Sequence, residues 1–360
     1  MSTLSQQRAK QYSSIKYTLS IIGTVYTFII LCLFLFLRAS GTTVAWCRNI
    51  MPLYILVIFI GFYILDFPLN FYHSYTLEHR FSLSNQKLGP WFLDQLKAGI
   101  LSYIIGMILV WAFYFILGHN PNNWWLVLSI FWIFFSLVLA KLTPTLIIPL
   151  FFKYKKLEDE VLRARILKLA EKMGLKILDC FEIDFSKKTS KANAAFVGWG
   201  RSRRVILADT LKDKYTHDEI EVILAHEFAH YKLKHLVKLI FINAAVTVVL
   251  FYLIYKTSSA ALGLFGLGSL SDLASLPLVF IYFLLFGFVT GPLEAAISRK
   301  METNADLLAL KVTGSKEAFI SMMNKLGDQN LADRKPHPII KFFFFDHPPI
   351  GERIELAVKF

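Results

Sequence analysis

The segment HEFAHYKLKH at residues 226–235 carries side chains whose types and spacing suit metal chemistry. In a helix, positions i and i+4 lie on one face, so His226 and His230 can offer both imidazoles to one ion while Glu227 projects beside them. Zinc takes about four ligands near 2 Å, and a catalytic site leaves one position for a water whose pKa falls to roughly 7. Because a neighbouring carboxylate can take a proton from that water, the spacing predicts a hydrolytic site with one zinc ion.

The helix that presents these residues has recognisable start signals. Thr216 and Asp218 are both candidate caps for the segment DEIEVILAHEFAHYKLKHLVKLI, which leads from a polar region into an apolar one. The alternative to a metal site is that His226 and His230 are surface or capping groups of this helix. His235 is expected to be an interfacial residue or a hydrogen-bond partner of a ligand, not a ligand itself.

A third ligand is expected from the segment GPLEAAISRKMETNADLLALKVTG at 291–314, which has good helix formers and a stop at Gly314. Glu302 and Asp306 are four residues apart, so one could bind the metal while the other accepts a hydrogen bond from a ligand histidine. Composition alone does not choose among the candidate carboxylates, each of which could also be a solvent-exposed helix residue. They are Glu294, Glu302, Asp306 and Glu317.

The rest of the chain has the composition of a membrane protein. Hydrophobic residues make up 55% and charged residues only 18% of the 360 positions, so a fully soluble surface would be hard to build. A membrane-spanning helix needs roughly 20 apolar residues, and several runs reach that length. The six predicted spans are 17–37, 51–71, 98–117, 124–143, 236–255 and 272–290. Asp66 in the second run indicates a bundle-facing or water-lined position, or the end of that span.

The formal net charge of +13 has two interpretations, nucleic-acid binding or a cytosolic excess of basic residues around membrane spans. The excess follows the loops, so no nucleic-acid partner is expected. Arg38 and Arg48 after the first span are a mild counter-signal, whereas the loop GHNPNN has no basic residue. The pattern places both termini and the long polar segment in the cytosol. Basic residues of the tail and of the loop after span two are Arg8, Lys10, Lys16, Arg80, Lys87 and Lys97.

These features predict a mainly α-helical integral membrane protein with about six spans and a small α/β, zincin-like cytosolic catalytic domain split by a transmembrane hairpin. Residues 1–152 form the membrane domain, with a cytosolic loop at 73–97. Residues 153–235 form the first cytosolic part with the HExxH helix, and 236–292 form the hairpin. Residues 293–360 contain the third zinc ligand and a C-terminal helix.

The polar segment is expected to contain both helix and strands. Its first part, KYKKLEDEVLRARILKLAEKMGL, has apolar residues at helical spacing and ends at Gly174. ILDCFEIDFS predicts a strand, and ANAAFVGWGRSRRVILADTL predicts two strands around a Gly-Arg-Ser turn. The residues expected on one face of the helix are Leu157, Val161, Leu162, Ile166 and Leu169.

HEFAHYKLKH, SRKMETNAD and HPPIGERI, in this order, resemble the integral-membrane gluzincins of the CAAX prenyl protease 1 type. Three further segments are similar to that family: FPLNFYHSYTLEHRFSLSNQ, LTPTLIIPLFFKYKKL and ANAAFVGWGRSRRVILADTL. The resemblance covers most of residues 60–358. This sequence differs from the family in two respects. It has six predicted spans where eukaryotic members have seven, and the aromatic residue of the Asn-Ala-aromatic strand motif is Phe196, one position later than in the family.

The resemblance implies roles at matching positions. His226, His230 and Glu302 would be the zinc ligands, and Glu227 the general base and later proton donor. Asp306 would hold a ligand histidine in place. His347 and Arg353 would lie near the tetrahedral intermediate, although GERIELAVKF by itself could be a plain C-terminal helix with Arg353 facing solvent. The strand at Asn193, Ala194 and Ala195 would pair with the substrate backbone, as an exposed strand edge can.

The expected function is that of a zinc metalloendopeptidase at the cytosolic membrane face, resembling enzymes that process prenylated CAAX C-termini. Its expected partners are the lipid bilayer and peptide or protein substrates, including prenylated or membrane-associated ones. Its membrane would be the bacterial inner membrane or the endoplasmic reticulum, depending on the source. Two alternatives stay open, a quality-control metalloprotease with broad peptide substrates and a non-catalytic scaffold or transporter.

Overall fold

The computed structural model describes residues 3–198 and 203–360. Within them, six helical segments are long and apolar enough to cross a membrane, which confirms the six predicted spans. Most of them extend well beyond the predicted apolar runs, because the helices continue into polar sequence on one side. The six segments are Gln6–Phe36, Met51–Arg80, Leu88–His119, Trp124–Phe151, His235–Leu264 and Leu273–Thr313.

Residues 3–151 are helical apart from short connections. Two wider, π-helical turns, at Tyr72–Thr76 and Thr143–Ile147, join consecutive α-helices into continuous helical segments. The second turn contains Pro144, which has no backbone N–H to donate. The helices are α1 (Thr3–Phe36), α2 (Ala39–Trp46), α3 (Met51–Phe71), α4 (Leu77–Arg80), α5 (Leu88–His119), α6 (Trp124–Leu142) and α7 (Ile148–Phe151).

The first helix begins against the polar part of the molecule. Tyr12 of α1 donates a hydrogen bond to Glu78 of α4 at 2.5 Å, and Lys191 pairs with the same carboxylate at 2.7 Å. The loop after α4 is held there too, since the carbonyl oxygen of Leu83 accepts hydrogen bonds from Thr189 and Ser190. The start of the chain, the loop after the second span and the polar segment therefore lie at one end of the spans.

The polar segment folds around a four-stranded sheet with the order β1-β2-β4-β3. The β2–β4 pair is parallel, whereas β1–β2 and β3–β4 are antiparallel. The strand predicted from ILDCFEIDFS and the two strands predicted around 194–208 are confirmed, and the predicted Gly-Arg-Ser turn lies outside the described residues. The strands are β1 (Tyr154–Lys156), β2 (Asp179–Ile183), β3 (Ala194–Val197) and β4 (Arg204–Ala208).

Two details of the predicted first helix are wrong. Residues 154–156 form β1, and helix α8 (Glu160–Lys172) begins only after Asp159, whose side chain accepts a hydrogen bond from the Leu162 amide. Val161 is 64% exposed, because it lies about 100° around the helix from its neighbour Leu162, which faces the core. Leu162, Ile166 and Leu169 are buried as predicted.

Helix α10 (His217–Lys232), which follows the short helix α9 (Asp209–Lys212), has nine of its 16 residues buried. Thr216 caps it as predicted, in a reciprocal capping box with Glu219, while Asp218 pairs instead with Arg165. Glu219 is 2% exposed and also accepts a hydrogen bond from Lys325 at 2.6 Å. The start of α10 is therefore fixed both locally and against a later helix.

The last third of the chain returns from the membrane to pack on α10. Helix α12 runs without interruption from the sixth span into the polar region, through Pro292 and the predicted boundary at 292/293, and ends at Gly314 with φ +67°. Its contacts with α10 are extensive. The helices here are α11 (His235–Leu264), α12 (Leu276–Thr313), α13 (Lys316–Gln329), α14 (Pro338–Phe344) and α15 (Ile350–Lys359).

Helix α15 depends on a close backbone approach at its first turn. The Gly351 amide donates a hydrogen bond to the Arg334 carbonyl oxygen at 3.3 Å. A Cβ added at Gly351 would lie 2.7 Å from that oxygen, a contact that forces the backbone to move. Glycine is therefore required where α15 meets the segment after α13.

We expect the Gly351→Ala substitution to destabilise the protein by roughly 1–3 kcal/mol, as overpacking does, and to lower its melting temperature in detergent. Gly89→Ala is the matched control, because a Cβ at Gly89 meets no atom within 4 Å at the start of α5. Scanning fluorimetry of the two variants beside the parent chain measures the difference. Equal melting temperatures for all three would contradict the close-approach argument.

Candidate active site

Helices α10 and α12 bring three side chains to one point. The Nε2 atoms of His226 and His230 are 3.0 Å apart. The carboxylate of Glu302, a residue of α12, contacts both rings. Its Oε2 is 3.1 Å from His226 Nε2, and its Oε1 is 3.2 Å from His230 Nε2. Of the four candidate carboxylates, Glu302 is the one in this group; Glu317 is exposed and Glu294 lines a separate pocket.

These atoms fit a zinc ion. Asp306 Oδ1 accepts a hydrogen bond from His226 Nδ1 at 2.8 Å, so in the neutral ring Nε2 carries only a lone pair. Lone pairs that converge at about 3 Å repel each other unless a cation or a proton lies between them. Tetrahedral ligands about 2 Å from zinc are separated by about 3.3 Å, which is close to the observed spacing.

The electrostatics of the group also favour a cation. Burial by itself would lower the pKa of His226, but its hydrogen bonds to Asp306 and Glu302 overcome that effect and raise the pKa to about 9. The two carboxylates therefore favour a positive charge at this ring, whether a proton or a metal ion carries it. A metal ion takes the place of such a proton, because a ligand histidine must be neutral.

Asp306 connects His226 to the C-terminal helix. It is fully buried, and Arg353 of α15 donates to it from Nε at 2.7 Å and from Nη2 at 2.6 Å. The Arg353 side chain is only 12% exposed, so the alternative of a plain C-terminal helix with this arginine in solvent is wrong. A bidentate pair of this kind fixes both partners in orientation as well as in charge.

Glu227, on α10, lies next to the three converging side chains. Burial raises the pKa of its carboxyl group, and the nearby His226 and His230 oppose that shift. A carboxylate with a raised pKa is a better proton acceptor near neutral pH than an ordinary one.

His347, which precedes α15, also lies next to the converging side chains. Its Nε2 is 3.4 Å from Glu302 Oε1, and its Nδ1 is 2.8 Å from Asp346 Oδ1. Asp346 was not among the predicted site residues. The one sequence signal for it was its position directly before the His-Pro-Pro motif.

The strand expected to bind substrate is at an edge of the sheet, beside α10. Among the described strands, β3 pairs only with β4, and the ring of Phe196 packs against Phe228 of α10 at 5.0 Å between centroids. Ala194 and Ala195 lie in the strand, and the Asn193 side chain is exposed just before it. The displaced aromatic of the motif therefore anchors the strand to the helix that carries the histidines.

A cavity of about 720 Å³ opens next to His347 and Arg353 and extends between the first two spans and α13. Asp66 lines it, which agrees with one of the alternatives expected for this residue, a water-lined position. A second pocket of about 290 Å³ lies between α11 and α12, and Asp346 borders both. The converging side chains are thus next to space that reaches membrane-spanning helices.

Two family models together match nearly the whole chain. The model described as Peptidase family M48 matches residues 156–359. The model described as CAAX prenyl protease N-terminal, five membrane helices, matches residues 1–153, so the likeness extends further towards the N-terminus than residue 60. Four of the candidate spans begin in that range, which is one fewer than the description of the model names.

Known proteins of similar length match the chain as well. The metalloprotease YhfN of Bacillus subtilis is 29% identical over 366 residues, covering 98% of this chain and 85% of that protein. CAAX prenyl protease 1 of Saccharomyces cerevisiae is 29% identical over 383 residues, covering 96% and 84%. The crystal structure of S. mikatae Ste24p shares the fold, with a TM-score of 0.90 at 23% identity over 99% of this chain and 90% of that one.

The family match, the converging His-His-Glu group and the six apolar helices lead to one assignment. The family accounts for the zinc, and the helices account for the membrane, so neither a scaffold nor a transporter is favoured. This chain belongs to peptidase family M48 and is a multi-pass integral-membrane zinc metalloendopeptidase.

Proposed function

We propose that His226, His230 and Glu302 hold the zinc ion and that Glu227 is the general base. The observation that carries this assignment is the convergence of the three side chains at 3.0–3.2 Å with Glu227 beside them. The bound zinc supplies Lewis acidity towards the scissile carbonyl group and the attacking water. Glu227 takes the proton from that water and later donates it to the leaving amine, for which its raised pKa is suited.

We infer that His347 and Arg353 stabilise the negative charge that develops on the oxygen of the scissile carbonyl group. His347 Nε2 faces the group of ligands while Asp346 holds the other ring nitrogen, so the imidazole is pre-oriented. Arg353 is held by Asp306 and also lines the adjoining cavity. Donors fixed in this way can stabilise a developing oxyanion without reorganising during the reaction.

We infer that the substrate backbone adds to the free edge of β3. The Asn193 carbonyl accepts a hydrogen bond from the Ala208 amide, and hydrogen-bonded pairs alternate along an antiparallel ladder. Ala195 then points its backbone groups towards β4, whereas Ala194 and Phe196 point theirs to the open edge. A peptide bound there would run beside α10 and present its carbonyl groups to the catalytic side chains.

The catalytic site is assigned to the cytosolic side. The basic N-terminal tail and the loop after span two lie at the same end of the spans as the polar segment, through the contacts of Tyr12, Glu78 and Lys191. Excess lysine and arginine near span ends mark the cytosolic side of a membrane protein.

We infer that the substrates are peptides with one end lipidated or embedded in the membrane. The cavity beside His347 is lined by α1 and α3, so a peptide held at the site contacts membrane-spanning helices. Relatives named CAAX prenyl protease 1 point to a prenylated C-terminal cysteine motif as the natural form of such a substrate. The name of the Bacillus subtilis relative specifies no lipid. The alternative to be tested is therefore that the enzyme cleaves a broad range of peptides.

The Glu227→Gln variant is expected to fold and to bind one zinc ion but to lose activity by on the order of 10²–10⁴-fold. The amide keeps the size of the side chain but cannot accept the proton. Peptide cleavage and metal content, measured on the same preparation, test this expectation. A fully active variant with unchanged zinc content would remove Glu227 from the mechanism.

Glu302→Gln is expected to lose stoichiometric zinc, because an amide is a much weaker zinc ligand than a carboxylate. The matched control is Glu294→Gln, which removes a carboxylate from the same helix outside the ligand group and should keep the metal. Elemental analysis after dialysis gives the zinc content of both proteins. The ligand assignment fails if Glu302→Gln keeps the metal.

A farnesylated CAAX peptide is expected to be cleaved at least about tenfold more efficiently than the same peptide without the lipid. Tenfold corresponds to about 1.4 kcal/mol, which burial of two or three CH₂ groups can supply. The values of kcat/KM for both peptides should be compared with and without a zinc chelator, which should abolish cleavage of either. Equal values for the two peptides would favour broad peptide specificity over prenyl recognition.

A further inference from the structure

His235, at the start of α11, contacts the second of the two converging histidines. Its Nδ1 is 3.1 Å from His230 Nδ1, on the side of the His230 ring that faces away from Glu302. The residue is 1% exposed. Its other nitrogen, Nε2, is buried without a hydrogen-bond partner among the described residues. A buried polar atom left unpaired costs stability, so its retention calls for a functional reason.

The contact exists because the chain turns sharply between α10 and α11. On one continuous helix, residues five apart point about 140° away from each other and do not touch. Here α10 ends at Lys232, and Lys234 adopts a left-handed conformation with φ 57° and ψ 34°. That conformation is unfavourable for a residue other than glycine. The turn brings the His235 ring back onto His230.

Only one arrangement of protons on these two rings is compatible with a metal at His230 Nε2. Two facing Nδ1 atoms share a single proton, which belongs to one ring or the other. If His235 carried it, neutral His230 would have its own proton on Nε2, pointing at His226 and Glu302. If His230 carries it, the Nε2 lone pair points at the ligand group, and His235 is left with its proton on the unpaired Nε2.

We propose that His235 is a positioning residue that accepts a hydrogen bond from His230 Nδ1 and so selects the metal-binding tautomer of His230. It does for His230 what Asp306 does for His226. The two ligand histidines thus have different supports, an aspartate neutralised by Arg353 on one side and a neutral imidazole on the other. The inference rests on the proposed zinc ligation by His230.

Two substitutions separate the hydrogen bond from the space that the ring fills. The side-chain oxygen of His235→Asn lies near the place of the ring Nδ1, so it keeps an acceptor for His230. His235→Leu fills similar volume and removes the acceptor. His235→Gln is a second polar variant, which places its oxygen near the position of Nε2, away from His230.

The zinc dissociation constant of each protein, measured by competition with a chelator of known affinity, is the readout. We expect His235→Leu and His235→Gln to bind zinc about ten- to a hundredfold more weakly than the parent chain, the usual effect of losing the hydrogen-bond partner of a ligand. His235→Asn should stay within about threefold of the parent. Melting temperatures of the zinc-free proteins show how much of any change comes from the fold.

An unchanged dissociation constant in His235→Leu would overturn the inference, and so would equal weakening in the asparagine and glutamine variants. The asparagine–glutamine comparison decides the question if the leucine variant does not fold. Failure of the proposed ligand set is distinguishable, because it would appear as zinc retained in Glu302→Gln whatever residue stands at 235.

Discussion

One metal ion requires the lone pairs of several side chains to lie within a few ångströms of each other, and the proposed ligands here come from two helices, α10 before the fifth span and α12, which continues from the sixth. Helix α10 carries the histidines and α12 carries Glu302, which is 76 positions after His226 in the chain. Neither helix can slide along the other by one turn, about 5.4 Å, without separating the three proposed ligands. The packing of α10 on α12 is therefore the constraint on which the site depends.

The structure holds this packing at both ends. The start of α10 is fixed by its capping box and by the contacts of buried Glu219 with α13. Helix α12 is the direct continuation of the sixth span, so the height of Glu302 is set by a helix that crosses the membrane. The membrane part of the protein consequently does more than anchor the catalytic part, because it positions one of the proposed ligands.

A buried ionic network also stabilises the packing of α10 on α12. Asp306 contacts His226 on α10 and Arg353 on α15, so three helices meet at one carboxylate. Removing one member would leave the others charged and unpaired in the interior, which is far more destabilising than the pair is stabilising. The network explains why a short C-terminal helix is part of the site.

Much of the site was predictable from sequence because its signals are local. The spacing of His226 and His230, the cap at Thr216 and the stop at Gly314 follow from the 3.6-residue period and from helix-end chemistry. The six spans were predictable from run length, since a bilayer core excludes unpaired backbone groups. Even Glu302 and Asp306 were recognisable as a pair on one face, although nothing local distinguished them from Glu294 or Glu317.

What tertiary structure decided was which distant groups meet. Strand β1 forms because β2 offers it a partner, against the helical spacing of its sequence, and Val161 faces solvent because Leu162 occupies the core. The burial of Arg353 and the contact between His230 and His235 depend on helix packing and on a single left-handed residue at 234. The physical reason is that hydrogen bonds within a helix are set by neighbours in sequence, whereas contacts between helices are set by complementary surfaces that no single segment contains.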